Sequence, residues 1–201
     1  MTRRAWILAR DTPLTKALPG SQFVEYHCSA VDGGPERAFE AFHRLTWSDL
    51  RIGRIMLSIR GFGLIGEALR RPIVTPPSPA APVHEVPPRY TTSAMIGKPW
   101  MPVPASRPVT SLDDVRVFDE PGWLKYGMEW SFTGTDDGRT FVETVTLCEA
   151  TSRSAQLLFG AYWAVIRLGS ASIRRELLHA IAVAVGSGGV SAIGAEGARS
   201  H

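Results

Sequence analysis

The residue best placed to do chemistry in this sequence is Glu143, because it interrupts an apolar and aromatic pattern. Tyr126, Met128, Trp130 and Phe132 alternate with Lys125, Gly127, Glu129, Ser131 and Thr133, the period-two signature of a strand with one buried face. Gly134-Thr135-Asp136-Asp137-Gly138 supplies turn residues, and Phe141 to Glu149 reads as the returning strand. Pairing Phe132 with Phe141 sets Met128 opposite Val145, Tyr126 opposite Leu147 and Glu143 opposite Trp130. A carboxylate is then expected to point into an aromatic face. Desolvation raises a carboxylate's pKa and suits it to hydrogen-bond a ligand or to act as a general acid or base. The alternative is structural: a register slip turns Glu143 to solvent, or an arginine neutralises it, with Arg167 the expected partner.

Other reactive side chains form no set. His27, His43, His84, His179 and His201 fall on separate segments. Ser152, Ser154, Ser170 and Ser172 lack the GxSxG context of a serine nucleophile. Gly61-Phe62-Gly63-Leu64-Ile65-Gly66 spells GxGxxG, but it follows a helical pattern and lacks a βαβ unit, so it reads as chance. Cys28 and Cys148 have no CxxC or Cys/His spacing; they read as core thiols in a reducing compartment, with no zinc site. No metal and no cofactor is therefore expected.

The elements that must position these residues follow from periodicity. Residues 1–20 show no sustained period and read as a flexible leader. Gln22 to Val31 reads as a strand ended by Asp32-Gly33-Gly34-Pro35. Pro35 opens a helix to about Leu45, and Ser48 caps a second with Ile52, Ile55, Met56 and Ile59 at helical spacing. The stretch from Pro72 to Pro108 holds 11 of the 15 prolines; residues 72–89 form an insert, with a long loop from Pro76 to Pro88. Strands are expected at Tyr90 to Ile96 and Val115 to Phe118. A final helix begins at Thr151 or Ser152, carries Leu157, Leu158, Ala161, Tyr162, Val165 and Leu168 on one flank, and bends at Gly169-Ser170. A flexible tail is expected from 186 to 201. Tyr162 and Trp163 point in neighbouring helical directions, and Trp100, between prolines, either gates an entrance or anchors its loop.

Composition is that of an ordinary globular chain: 201 residues, 44% hydrophobic and 20% charged. Twenty-two basic against 19 acidic residues leave +3, spread too evenly for a nucleic-acid footprint. The first apolar run, Ala5 to Ala9, is too short for a signal peptide, so a cytoplasmic location is expected. Leu50 to Arg71 mixes five arginines with aliphatics, a pattern of an amphipathic helix on its own core or of weak membrane contact. Strand, two helices, antiparallel strands and a long helix make an α+β order, with helices on one face of the sheet and room for a cavity between.

Several stretches carry a resemblance: Pro35 to Asp49 (PERAFEAFHRLTWSD), Gly97 to Pro102 (GKPWMP), Pro121 to Phe132 (PGWLKYGMEWSF), Val142-Glu143-Thr144, and Tyr162 to Leu178 (YWAVIRLGSASIRRELL). Together they resemble a bacterial branch, of unknown function, of the START/Bet v 1-like superfamily (SRPBCC, helix-grip fold). The chain departs from it at Val145 and Leu168, where relatives are expected to carry a basic residue and a proline. The resemblance implies a helix-grip domain over residues 21–185, a curved antiparallel sheet wrapped around the C-terminal helix. Its cavity would take a lipid, polyketide or similar hydrophobic molecule. The expected lining is Tyr126, Met128, Trp130, Phe132, Glu143, Val145, Tyr162, Arg167 and Trp100, in a monomer or homodimer. A non-catalytic binding or transport protein is the leading expectation. A cyclase, dehydratase or hydrolase using Glu143 on the same scaffold is the second. A partner-binding module presenting Pro76 and Pro79 at PxxP spacing is the third.

Overall fold

Two short helices begin the chain, α1 (Arg3–Leu8) and α2 (Pro13–Ala17). Pro13 stands at the first helical position of α2, and Thr12 and Thr15 cap each other reciprocally. β1 (Phe23–Asp32) ends at Gly33, whose φ of 100° favours glycine and turns the chain into α3 (Pro35–Arg44). A single 3-10 turn at Trp47–Asp49 leads to α4 (Arg51–Ile59). Beyond a 3-10 segment at Gly66–Arg70 come β2 (His84–Val86), β3 (Tyr90–Lys98), β4 (Ala105–Arg107) and α5 (Leu112–Val117). The hairpin β5 (Leu124–Gly134) and β6 (Arg139–Ala150) precedes α6 (Arg153–Gly197). This computed structural model describes residues 2–59, 66–76 and 78–197. The glycine pattern opening at Gly61, up to residue 65, and the last four residues of the expected tail lie outside them.

The result is an α+β fold with a six-stranded antiparallel sheet in the order β1-β6-β5-β3-β2, β4 pairing with β3. Both faces are covered, whereas helices were expected on one. α3 and α6 pack on one face around Phe42, Trp130, Phe132, Leu177 and Ile181. On the other, Ile7, Leu14 and Leu18 bury themselves against Ala94, Ile96, Val145 and Leu147. The flexible leader expected over residues 1–20 is therefore corrected: three of its side chains have no exposure at all. Elements this short show no period, and their order comes from docking and from the Thr12–Thr15 cap.

Other differences have local causes. Val115 to Phe118 is mostly helix rather than strand, because Ser111 and Asp114 form a capping box that starts α5. α6 runs unbroken through Gly169-Ser170 and continues to Gly197, past the end expected near Val185. Its sheet side is Ala155, Phe159, Leu177, Leu178, Ile181 and Val185, while most of the expected apolar flank faces outward.

Candidate functional site

The hairpin register decides which residues meet. Gly134 pairs with Thr140, Thr135 and Arg139 close the turn, and Gly138 takes a φ of 79°. This odd-length connection, a turn followed by a left-handed glycine, shifts each partner by one residue from the expected pairing. Phe132 therefore faces Val142, Trp130 faces Thr144, and Glu143 faces Ser131. A one-residue slip moves a side chain to the opposite face, so Glu143 and Val145 leave the aromatic face and join the leader side of the sheet.

There Glu143 is fully engaged. Arg10 donates to it from both terminal nitrogens at 3.0 Å, Tyr26 from its hydroxyl at 2.8 Å and Ser131 at 3.2 Å. Burial, then hydrogen bonds to Cys28 and Glu143, pushes the Tyr26 phenol well above its ordinary pKa. Nearby, Glu129 accepts the Leu14 N–H at 3.0 Å and the Thr92 hydroxyl at 3.4 Å; burial raises its pKa despite these bonds. Arg167, the expected partner of Glu143, is exposed on α6. Glu143 and Arg10 together clamp the leader to the sheet.

The opposite face brings together Tyr126, Met128, Trp130 and Phe132. The paired strands set its side chains in rows: Met95, Tyr126, Cys148 and Phe23; then Ser93, Met128, Thr146 and Glu25; then Thr91, Trp130, Thr144 and His27. α6 lies mainly over β1 and β6, which leaves Met95, Tyr126 and Met128 half-buried beside it. At one end Phe159 stands edge-on to Phe23, 4.9 Å between centroids, with Trp100, Tyr162 and Trp163 around it. The expected Tyr162 and Trp100 thus flank the first row.

The middle rows are polar. Ser170 on α6 donates to Glu25 at 2.8 Å, and the other Glu25 oxygen lies 2.8 Å from His27 Nε2. Arg174, one turn further along, reaches the Thr146 hydroxyl at 3.4 Å. Burial lowers the Arg174 pKa, opposed by the charge of Glu25, and pushes the neighbouring Cys148 thiol above its usual range. Three buried polar atoms on this face have no hydrogen-bond partner: Trp130 Nε1, Thr144 Oγ1 and Arg174 Nε. Trp130 and Thr144 are each 1% exposed and stand directly opposite one another. A buried donor left unmet costs about 1–3 kcal/mol, so an acceptor delivered to these rows would be held.

Sequence reasoning missed Glu25, His27, Ser170 and Arg174. The signal for the first two was present: residues two apart on a strand share a face, so Glu25-x-His27 is a polar pair on one side of β1. No group of three or more metal-ligating side chains occurs among the described residues, and no helix among them is long and apolar enough to cross a membrane. A separate open groove of about 540 Å³ lies between β3 and α5; of its charged groups Arg107 pairs with Glu120 and Asp114 caps a helix, and Asp119 also lines it. No family model, no curated protein and no solved structure matches this chain.

Proposed function

We propose that the protein binds one small amphipathic molecule, apolar along most of its length and carrying a hydrogen-bond acceptor, between α6 and the centre of the sheet. The scaffold would be a helix-grip domain of the START/Bet v 1-like kind. The observation that carries this reading is the meeting of half-buried Met95, Tyr126 and Met128 with the unpartnered Trp130 Nε1, Thr144 Oγ1 and Arg174 Nε. Apolar ligand surface contributes roughly 25 cal/mol per Å² buried, and the three donors orient the polar end. The order of one strand, helices, antiparallel strands and a long terminal helix supports the scaffold.

The test is native mass spectrometry of the purified protein, followed by solvent extraction of what it carries. A one-to-one apolar adduct is expected, depleted in Trp130→Phe at an unchanged unfolding temperature. Absence of any adduct, with an experimental structure showing side chains filling the space beside α6, would refute the proposal.

A second reading, a hydrolase, dehydratase or cyclase in the same place, is favoured by one observation. Glu25 and His27 form a hydrogen-bonded carboxylate–imidazole pair, 11% and 16% exposed, on the face with the free donors. Such a pair orients an imidazole for general acid–base work. A His27→Gln variant that keeps the adduct but loses turnover of the extracted compound would establish it. Equal turnover would leave binding alone.

A further inference from the structure

The first half of α6 is apolar on two opposite sides. At 3.6 residues per turn, Leu157, Ala161, Val165 and Leu168 fall opposite Phe159 and Trp163, which face the sheet. On that outer side Leu157 is 66%, Leu158 53%, Val165 78% and Leu168 75% exposed. A helix covering a globular core carries polar residues there, and a contiguous apolar surface marks an interaction site. α4 extends the surface. Glu176, five helical turns from Leu158 and on the same line, accepts the N–H groups of Ile52 and Gly53 at 2.9–3.0 Å. This contact sets the start of α4 beside α6 about two turns past Leu168, where Ile52 and Ile55 are 39% and 54% exposed.

Apart from Glu176, the charged groups named on this face are all arginines. Arg153 precedes the stripe by a turn, Arg167 flanks it, Arg175 continues the line of Leu157, and Arg51 and Arg54 come from α4; all five are exposed. None forms an ion pair among the described residues, and Glu176 is committed to the start of α4. A second copy laid antiparallel on the stripe would bring arginines toward arginines with no carboxylate to answer them. The geometry points instead to an anionic lipid surface: we propose that the outer side of α6, with α4 beside it, docks peripherally on an anionic membrane. Leu157, Leu158, Val165 and Leu168 enter the boundary between headgroups and acyl chains, and the five arginines meet lipid phosphates. This proposal stands on the outer surface of α6 and does not require the space between α6 and the sheet to hold a ligand.

The experiment is co-sedimentation of the full chain with vesicles of phosphatidylcholine alone and of phosphatidylcholine with about one third phosphatidylglycerol. Partition onto the anionic vesicles is expected, with little onto the neutral ones and a loss as salt rises. Arg167→Gln and Arg175→Gln should each lower the anionic partition about fivefold. Val165→Asp with Leu168→Asp should abolish it at an unchanged unfolding temperature, while Arg116→Gln on α5 leaves it intact. Equal partition onto both vesicles, none onto either, or anionic partition that survives the stripe substitutions would overturn the proposal. So would a dimer, read by analytical ultracentrifugation, that the same substitutions dissociate in a protein indifferent to lipid.

Discussion

Replacing Glu143 with Gln tests whether this carboxylate holds the fold together or serves a ligand. The variant keeps the volume and removes the charge, so Arg10 loses two charge-assisted bonds of 3.0 Å while its side chain stays only 21% exposed. Breaking a fully buried pair costs about 3–5 kcal/mol; allowing for the exposure of Arg10, about 2–3 kcal/mol is expected. For a chain of this size that is a fall of roughly 5–10 °C in unfolding temperature. Urea unfolding followed by tryptophan fluorescence gives the free energy. Hydrogen exchange should show α1 and α2 losing protection first, because Arg10 lies between them. Combining Arg10→Met with Glu143→Gln should cost clearly less than the two single losses added together, since the second change removes an already orphaned partner. A loss below about 0.5 kcal/mol in the single variant would refute the clamp. Loss of the carried molecule at full stability would return Glu143 to ligand binding.

Burial raises the Glu129 pKa in the folded state above its ordinary value of 4.5, so the folded protein binds its proton more tightly than the unfolded chain does. The stabilisation from that proton is complete below the ordinary value and disappears as pH rises through the raised one; Glu129→Gln should therefore flatten the stability profile across this window and raise stability on its neutral side. Gly127 has no room for a side chain, since a Cβ there would lie 2.5 Å from Leu14 Cδ1 and 2.8 Å from the Ser93 carbonyl oxygen. Gly127→Ala is expected to cost about 1–3 kcal/mol, measured by urea unfolding, and a neutral result would mean that α2 does not dock where described. Ser111→Ala removes the cap that donates structure to α5 and should cost about 1 kcal/mol, seen as faster exchange of the amides of Asp113 and Asp114.

The aromatic strand and its partner were legible because apolar and aromatic side chains alternate with polar ones along it, although both faces are covered, and Tyr126, Met128, Trp130 and Phe132 do share a face. Their register was not legible. Whether the connection holds an even or odd number of residues depends on Gly138 adopting a left-handed backbone, which composition allows and does not require. That single residue sent Glu143 to the far side. Arg10 was equally invisible as its partner, since α1 and α2 are too short to print a period. Trp130 was found from its alternation, yet its unpartnered Nε1 follows from what surrounds it. Arg174 lies seven residues beyond the expected Arg167, two turns along α6; periodicity placed arginines on the helix, and only the packed sheet decided which one turned inward.

The placement of β1 beside β6 has a consequence for how the chain is made. Phe23 meets Cys148 and Asp32 meets Arg139, and β1 has no other strand neighbour among the described residues. During synthesis the first strand therefore emerges with both backbone edges open and waits for the last strand before it can pair. Contacts so distant in sequence form slowly, and unpaired strands invite association with other chains. A ribosome that stops short of residue 139 would leave not a smaller stable domain but a sticky fragment, so completion of the hairpin is the event that makes the nascent chain safe.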